Sequence, residues 1–218
     1  RMRRDGSSLG RPGQTAAFAD VDNDGDLDLF TGYAGDAGGG SAELMLNNGD
    51  GTFSFAPESD IHTAALPKTS GAAFTDHNRD GKIDLWLSQN AGPSGPLQDK
   101  LLWGMGDGTF VDVTQPLGLK TKHWVNIESL NNAEGHSNAW SAAACDLNND
   151  GWPELLAASY GRAPNHLWLN QGGESFANQS ISSGYAFDEN VDWSDNESAR
   201  CWCKFNPTDS DCDGLSEP

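Results

Sequence analysis

The sequence predicts an all-β chain built from three repeats of about four short strands each, with a partial fourth copy at the end. Three observations carry this prediction. Breakers are dense, with 26 Gly and 10 Pro among 218 residues, and few stretches run long enough without Gly, Pro or an Asn/Asp cluster to hold several long helices. A motif opening Ala17-Phe18-Ala19-Asp20 returns as Ala73-Phe74-Thr75-Asp76 and as Ala143-Ala144-Cys145-Asp146. A second motif follows each copy in the same order, from Glu43 to Phe53, Lys100 to Phe110 and His166 to Phe176. Two independent motifs that keep their order define a repeat.

The first aspartates, Asp20, Asp76 and Asp146, fall about 60 residues apart, room for about four short strands and their turns. In each unit an Ala-rich strand enters an Asp loop and an apolar strand leaves it, over 27–33, 83–88 and 155–160. A third strand ends in an Asn/Gly turn, and a fourth opens at Phe53, Phe110 or Phe176. The leaving strand alternates too little for a half-exposed position, so both of its faces are expected to be covered. A four-stranded repeat of this size is what a β-propeller blade requires. The expected organisation is an N-terminal segment (1–13), blade one (14–66), blade two (67–135), blade three (136–200) and a Cys/Asp-rich tail (201–218). Closed propellers take about four to eight blades, so the ring is expected not to close from this chain alone. The missing part would come from elsewhere in a longer chain or from another copy, and the start at Arg1-Met2-Arg3-Arg4 reads as a cut or processed end.

Thirteen Lys and Arg against 32 Asp and Glu give a formal net charge of −19, which excludes an electrostatic nucleic-acid binder. No run approaches the roughly 20 apolar residues of a membrane span, so a soluble chain is expected. Of the four cysteines, Cys145, Cys201, Cys203 and Cys212, three crowd the tail. The Cys201-x-Cys203 spacing is not that of a zinc site, so disulfides in an oxidising compartment are the better reading, with Cys203–Cys212 and Cys145–Cys201 the favoured pairing.

Each Asp loop, numbered from its first aspartate, carries oxygen side chains at positions 1, 3, 5 and 9, Gly at 6, and a position 7 whose backbone carbonyl is expected to turn inward. Copy one supplies Asp20, Asp22, Asp24 and Asp28, with Asp26 at position 7 and Gly25 at 6. Copy two supplies Asp76, Asn78, Asp80 and Asp84, with Lys82 at position 7; copy three supplies Asp146, Asn148, Asp150 and Glu154, with Trp152 at position 7. The tail repeats the pattern as Asp209, Asp211, Asp213 and Glu217, with Leu215 at position 7. Converging hard oxygens completed by water are the donor set of calcium, and a stricter octahedral magnesium fits less well. About three calcium ions are expected, and a fourth if the tail loop binds. Without a cation the clustered carboxylates repel, so metal binding and folding should be coupled. An EF-hand would need a bidentate Glu at position 12, where Thr31, Leu87 and Ala157 stand. Solvated Asp/Asn turns are the competing reading, but turns alone do not require a carboxylate at position 9. Asp80→Ala is expected to weaken calcium-dependent stability, and a substitution at Asp99, outside the loops, to do little.

The residues 18–29, their two later copies and Asn47-Asn48-Gly49-Asp50-Gly51-Thr52-Phe53 resemble the FG-GAP/VCBS repeat family, whose blades build the integrin α-subunit head propeller. The resemblance covers roughly residues 14–178 and implies structural calcium at the loop positions named above. Trp152-Pro153 and Glu154 depart from the family pattern. The tail is similar to the Asp-rich calcium repeats of thrombospondin type 3, in which a Cys also sits among aspartates.

Trp86, Trp103, Trp140 and Trp168 fall in expected strands and read as core, whereas Trp124, Trp152, Trp193 and Trp202 are freer to form a surface. Asn178 and Asn196 open N-glycosylation sequons. The five histidines, His62, His77, His123, His136 and His166, show no metal or catalytic spacing and read as local hydrogen-bonding groups. No nucleophile elbow, phosphate loop or reactive Cys setting is present, so the chain is not expected to be an enzyme. The expectation is an extracellular or cell-surface module for adhesion or structural assembly, with a protein partner, further copies of itself or glycans as ligands. The alternative is a lectin-like or polysaccharide-active propeller.

Overall fold

The computed structural model describes residues 13, 15–32, 42–63, 66, 68–92, 95–123, 126, 132–161, 163–187 and 196–213. They form three four-stranded antiparallel sheets in chain order. The first joins β1 (Ala16–Ala19), β2 (Asp28–Thr31), β3 (Glu43–Asn47) and β4 (Phe53–Phe55). A one-turn helix, α1 (Asp60–Thr63), leads to the second, made of β5 (Thr69–Thr75) and β6 (Asp84–Gln89), then, past the small ribbon of β7 (Ala91–Gly92) and β8 (Gly95–Pro96), β9 (Lys100–Gly104) and β10 (Phe110–Asp112). The third joins β11 (Ala139–Cys145), β12 (Glu154–Ser159), β13 (His166–Asn170) and β14 (Phe176–Asn178). A C-terminal helix, α2 (Glu197–Phe205), and a 3-10 turn (Ser210–Cys212) follow. Among the described residues no helix is long and apolar enough to cross a membrane.

The second sheet is the middle layer of a stack. One of its faces sends Leu85, Leu87, Leu102 and Phe110 into a core with Phe30, Leu44 and Ile61 of the first unit. The opposite face sends Trp86 and Leu101 into a core with Leu155, Trp168 and Phe176 of the third. Strand β6 is therefore buried at every residue, as its unalternating sequence predicts. The expectation of two covered faces fails for β2 and β12, which interleave buried with half-buried positions. Among the described residues no sheet lies against the far faces of the two outer sheets. On the first sheet that far face sets Phe18, 57% exposed, against Leu29, which in turn opposes Met45 and then Phe55.

The first strands of successive sheets approach each other closely. Thr15 Oγ1 donates to the Ser70 carbonyl at 2.9 Å, and Ser70 Oγ donates to the Ala139 carbonyl at 2.5 Å. Gly71 is obligatory there, because a Cβ at this position would lie 2.4 Å from the Ala142 nitrogen. Beside it, β5 slips register between Thr69 and Gly71, and β11 does the same between Ala139 and Ser141. That second bulge turns Trp140 outward to 49% exposure against Tyr160, correcting its expected place in the core. Trp86 and Trp168 are buried as expected, Trp103 packs half-buried on the second core, and Trp202 packs half-buried on α2's small cluster with Ala163 and Ala199. Trp124 and Trp193 lie outside the described residues.

Cys203 and Cys212 form a disulfide that closes the tail, whereas Cys145 and Cys201 are free and exposed. The expected second pair is excluded by the fold. Cys145 ends β11 at the Asp-loop end of the third sheet, while α2 docks at the other end, where the Ser198 amide donates to the Gly161 carbonyl just past β12. A six-residue strand separates the two by roughly 20 Å, beyond the roughly 7 Å Cα reach of a disulfide. Asn196 is 1% exposed and caps α2 by accepting the Ala199 amide at 3.0 Å, so a glycan there would displace the cap. Asn178 is exposed, with its side-chain oxygen held by Ser180.

Between the second and third sheets lies a buried polar layer. Asp99, 3% exposed, accepts the Gln89 amide at 2.8 Å and the Ser137 hydroxyl at 3.5 Å, with His166 Nδ1 at 3.9 Å. The expectation that Asp99 is a silent position is therefore wrong: its removal would strand a buried amide and a buried hydroxyl. His136, 7% exposed, shares a 2.5 Å hydrogen bond with Thr121 and meets His123 edge-on.

Two expectations follow from this packing. Trp86→Ala opens the middle core and removes the indole hydrogen bond to the Leu156 carbonyl, costing about 3–5 kcal/mol by denaturant titration, whereas Trp140→Ala changes stability by less than about 1 kcal/mol. Burial, then the neighbouring His123 and His166, hold His136 down from 6.5 to about 4. Across that window the unfolded chain binds a proton that the folded chain refuses, so this group's contribution is intact above pH 6.5 and declines as pH falls toward 4. Urea midpoints measured from pH 7 to 4 should fall more gently in His136→Gln than in the parent chain.

Candidate metal centres in the Asp loops

Each sheet carries its Asp loop between its first and second strands, and the three loops share one hydrogen-bond scheme. The position 1 carboxylate gathers two backbone amides: Asp20, Asp76 and Asp146 each accept the position 5 N–H at 3.1 Å and the position 6 Gly N–H at 2.9–3.0 Å. The position 5 carboxylates Asp24, Asp80 and Asp150 accept the N–H of Asp26, Lys82 and Trp152 at 2.8–2.9 Å. Gly25, Gly81 and Gly151 hold φ of 95°, 80° and 89°, a conformation the sequence assigns to them because a Cβ would be strained there. Position 4 is left-handed in every copy too, at Asn23, Arg79 and Asn149, a requirement that the Asn-Asp-Gly of copies one and three signals and that the sequence reading missed.

Position 9 is the anchor. Asp28, Asp84 and Glu154 are 0%, 0% and 1% exposed, and each accepts the position 2 amide at 2.8 Å, from Val21, His77 and Leu147. The second oxygen of Asp28 accepts the Asn47 amide and that of Asp84 the Gly104 amide, both at 2.9 Å, which ties each loop to the third strand of its sheet. Glu154 is one methylene longer, and its Oε1 is buried with no hydrogen-bond partner. The position 12 residues Thr31, Leu87 and Ala157 lie in β2, β6 and β12, as the exclusion of an EF-hand requires.

The three loops differ in charge. In loop one, ligand oxygens of Asp20, Asp22 and Asp28 come within 4.8 Å of one another, and Asp22 Oδ1 is buried without a hydrogen-bond partner. Burial, then Asp28 and Asp24, push the Asp22 carboxyl above its usual range; burial also pushes Asp28 up, against two amide hydrogen bonds that pull it down. Loop two is quieter. Asn78 donates to Asp80 at 3.3 Å and the Trp103 indole donates to it at 2.9 Å. Burial pushes Asp80 up, but these donors, the Lys82 amide and the Lys82 charge outweigh it and leave the carboxyl below its usual range. His77 Nδ1 also contacts Asp84 directly. In loop three Asn148 donates to Asp150 at 2.9 Å, and Arg79 of loop two lies over the Trp152 ring at 5.2 Å, clasping neighbouring loops.

In the tail, Asp209 caps the 3-10 turn by accepting the Asp211 amide at 3.0 Å, and Asp213 ends it. This differs from the scheme of the full loops, in which position 1 gathers positions 5 and 6. Gly214, Leu215 and Glu217 lie outside the described residues.

The repeated scheme has a counterpart among known families. A model described as an FG-GAP-like repeat matches residues 20–87 and again 76–157, together more than half of the chain. The chain belongs to the FG-GAP-like repeat family. Each FG-GAP match starts on the first aspartate of a loop, Asp20 or Asp76, and ends in the leaving strand of the next sheet, β6 or β12. The FG-GAP unit thus spans the contact between neighbouring sheets. No curated protein sequence matches the chain.

The loop donor sets suit a hard cation. Every side chain at positions 1, 3, 5 and 9 presents oxygen, and the partnerless Asp22 Oδ1 is an acceptor that a cation would satisfy. At Asp28 the two amides use one lone pair of each oxygen and leave the other for a metal, and at Glu154 Oε1 is left wholly free of amides. Asp28→Asn should therefore act by a different route from changes at position 3. It turns one acceptor into a donor facing a buried amide, so it should cost about 1–3 kcal/mol even in chelator and more in calcium, measured by chemical denaturation.

Proposed function

We propose that this chain is part of an extracellular β-propeller wall whose Asp loops hold structural calcium and whose faces join further blades, serving adhesion or surface assembly rather than catalysis. The observation that carries the calcium reading is Asp22 Oδ1, buried and without a hydrogen-bond partner beside Asp20 and Asp28 in a loop of carboxylates. Calcium at loop one would sit among Asp20, Asp22, Asp24 and Asp28, neutralise their repulsion and rigidify the β1–β2 turn. Loops two and three, with Asn78 and Asn148 in place of an aspartate, would hold it among Asp76, Asp80 and Asp84 and among Asp146, Asp150 and Glu154. The tail would bind least readily, since Asp209 is engaged as a cap.

The propeller reading rests on the stacking. Successive sheets bring their first strands together and pack face to face, each in the same sense. The outward face of the first sheet, with Phe18 and Leu29, corresponds by repeat position to the Phe74 and Leu85 face by which the second sheet packs on the first. The outward face of the third, with Leu156 and Leu167, corresponds to the covered Trp86 and Leu101 face of the second. These two faces are complementary in kind, and a further FG-GAP sheet would cover either. The surface offered for assembly is therefore a pair of sheet faces.

Thermal melts of the purified chain in calcium, in magnesium and in chelator test the metal reading. The melting temperature should climb with calcium, by the equivalent of about 2–3 kcal/mol at a hundredfold excess over Kd, and respond weakly to magnesium. Asp22→Asn should lose much of the calcium-dependent rise yet melt no lower than the parent in chelator, because the change removes a repelling charge. A melt indifferent to calcium, or a variant equally weakened in both media, would sink the calcium reading.

A further inference from the structure

The middle sheet has a second end, away from its Asp loop, with a charge character of its own. Its Asp loop sits where Asp84 meets Gly104, at the finish of β9, whereas Lys100 at the start of that strand pairs with Leu87 toward the other end. There a cleft of about 620 Å³ opens, bordered by Lys100, Lys120, Lys122, His123, His136 and Asp112. Half of the chain's six lysines and two of its five histidines meet in this one place, in a protein of net charge −19.

The lysines are not equivalent. Lys100 is neutralised by Asp112 at 2.7 Å, and Lys122 by Glu134 at 2.7 Å. Lys120 is exposed and has neither an ion pair nor a hydrogen bond among the described residues. In a chain where acids outnumber bases 32 to 13, a lysine on a cleft without a carboxylate is an unfilled anion contact. Asp112 does not cancel it, because that carboxylate is already held by Lys100 and by the Thr114 amide at 3.0 Å. A positive group in a cleft between low-dielectric walls focuses the field where an anion can dock. His123 also borders the cleft as an exposed imidazole in edge-on contact with His136. The volume exceeds what a lone inorganic anion needs and lies in the range of small-molecule sites.

We propose that this cleft binds a small polar oxyanion, a sulfate- or carboxylate-bearing ligand, with Lys120 as its principal contact and Lys122 and His123 beside it. The site is separate from the Asp loops in both place and charge, so it does not depend on the calcium reading.

The test is an amide-shift titration of the labelled chain with inorganic sulfate and, separately, with tricarballylate, at fixed ionic strength balanced by chloride. Saturable shifts confined to residues around Gln115, Lys120, Lys122 and His123 are expected, and the tighter of the two probes identifies the oxyanion type. Lys120→Gln should weaken that probe about tenfold, the scale of one charge-assisted contact, while Lys120→Arg retains it and Lys204→Gln on α2 leaves it unchanged. Because Lys120 has no partner among the described residues, its loss should leave the rest of the amide spectrum in place. Shifts that rise linearly without saturation, or an equal loss in Lys204→Gln, would overturn the proposal, as would saturation by an acidic peptide at this cleft with neither probe binding.

Discussion

The buried carboxylate at position 9 of each loop is the constraint from which the rest of a repeat follows. Asp28 and Asp84 are out of water, yet each oxygen accepts a backbone amide, one from inside the loop and one from the third strand. A buried charge is tolerable only with such partners, and these partners fix both the shape of the turn and the placement of strand three. The loop geometry that gathers position 1 and position 5 oxygens depends on this closure. A single side chain thus couples the sheet to the candidate metal centre. Copy three shows the same constraint under strain of a different kind, since Glu154 keeps the loop amide but leaves its other oxygen without a donor.

Sheet stacking is the second level. One repeat cannot bury its own faces, and the middle sheet demonstrates what a covered pair of faces looks like: six consecutive buried residues in β6, with alternate side chains serving two different cores. The outer sheets carry the same kinds of residue with a neighbour on one side only. Repeat proteins gain stability from such nearest-neighbour contacts, so each additional sheet would bring the end sheets toward the state of the middle one.

Charge is divided between the two ends of the middle sheet. The Asp loops concentrate carboxylates and would draw cations, while the cleft near Lys100 concentrates lysines at the far end of the same strands. In antiparallel meanders the turns alternate between ends, so one set of turns can specialise for cations without disturbing the other.

Much of this was readable along the chain because it is local. The Gly at position 6 and the carboxylate at position 9 are set within a dozen residues, the repeat and its four strands per unit within about sixty consecutive ones, and the FG-GAP match falls on the same segments. Position 4 was readable in principle, since Asn-Asp-Gly favours a left-handed residue, but Arg79 in copy two hid the rule. What escaped was decided by contacts between units. Trp140 lies in a strand and yet faces water because a bulge against the neighbouring sheet re-aims it. Asp99, charged and between turns, is buried because the third sheet brings Ser137 and His166 onto it. Cys145 and Cys201 stay apart because helix α2 docks at the opposite end of the sheet. Turn chemistry and strand periodicity act over neighbouring residues and are written into the sequence, whereas burial of a given face depends on what the chain places against it from far away.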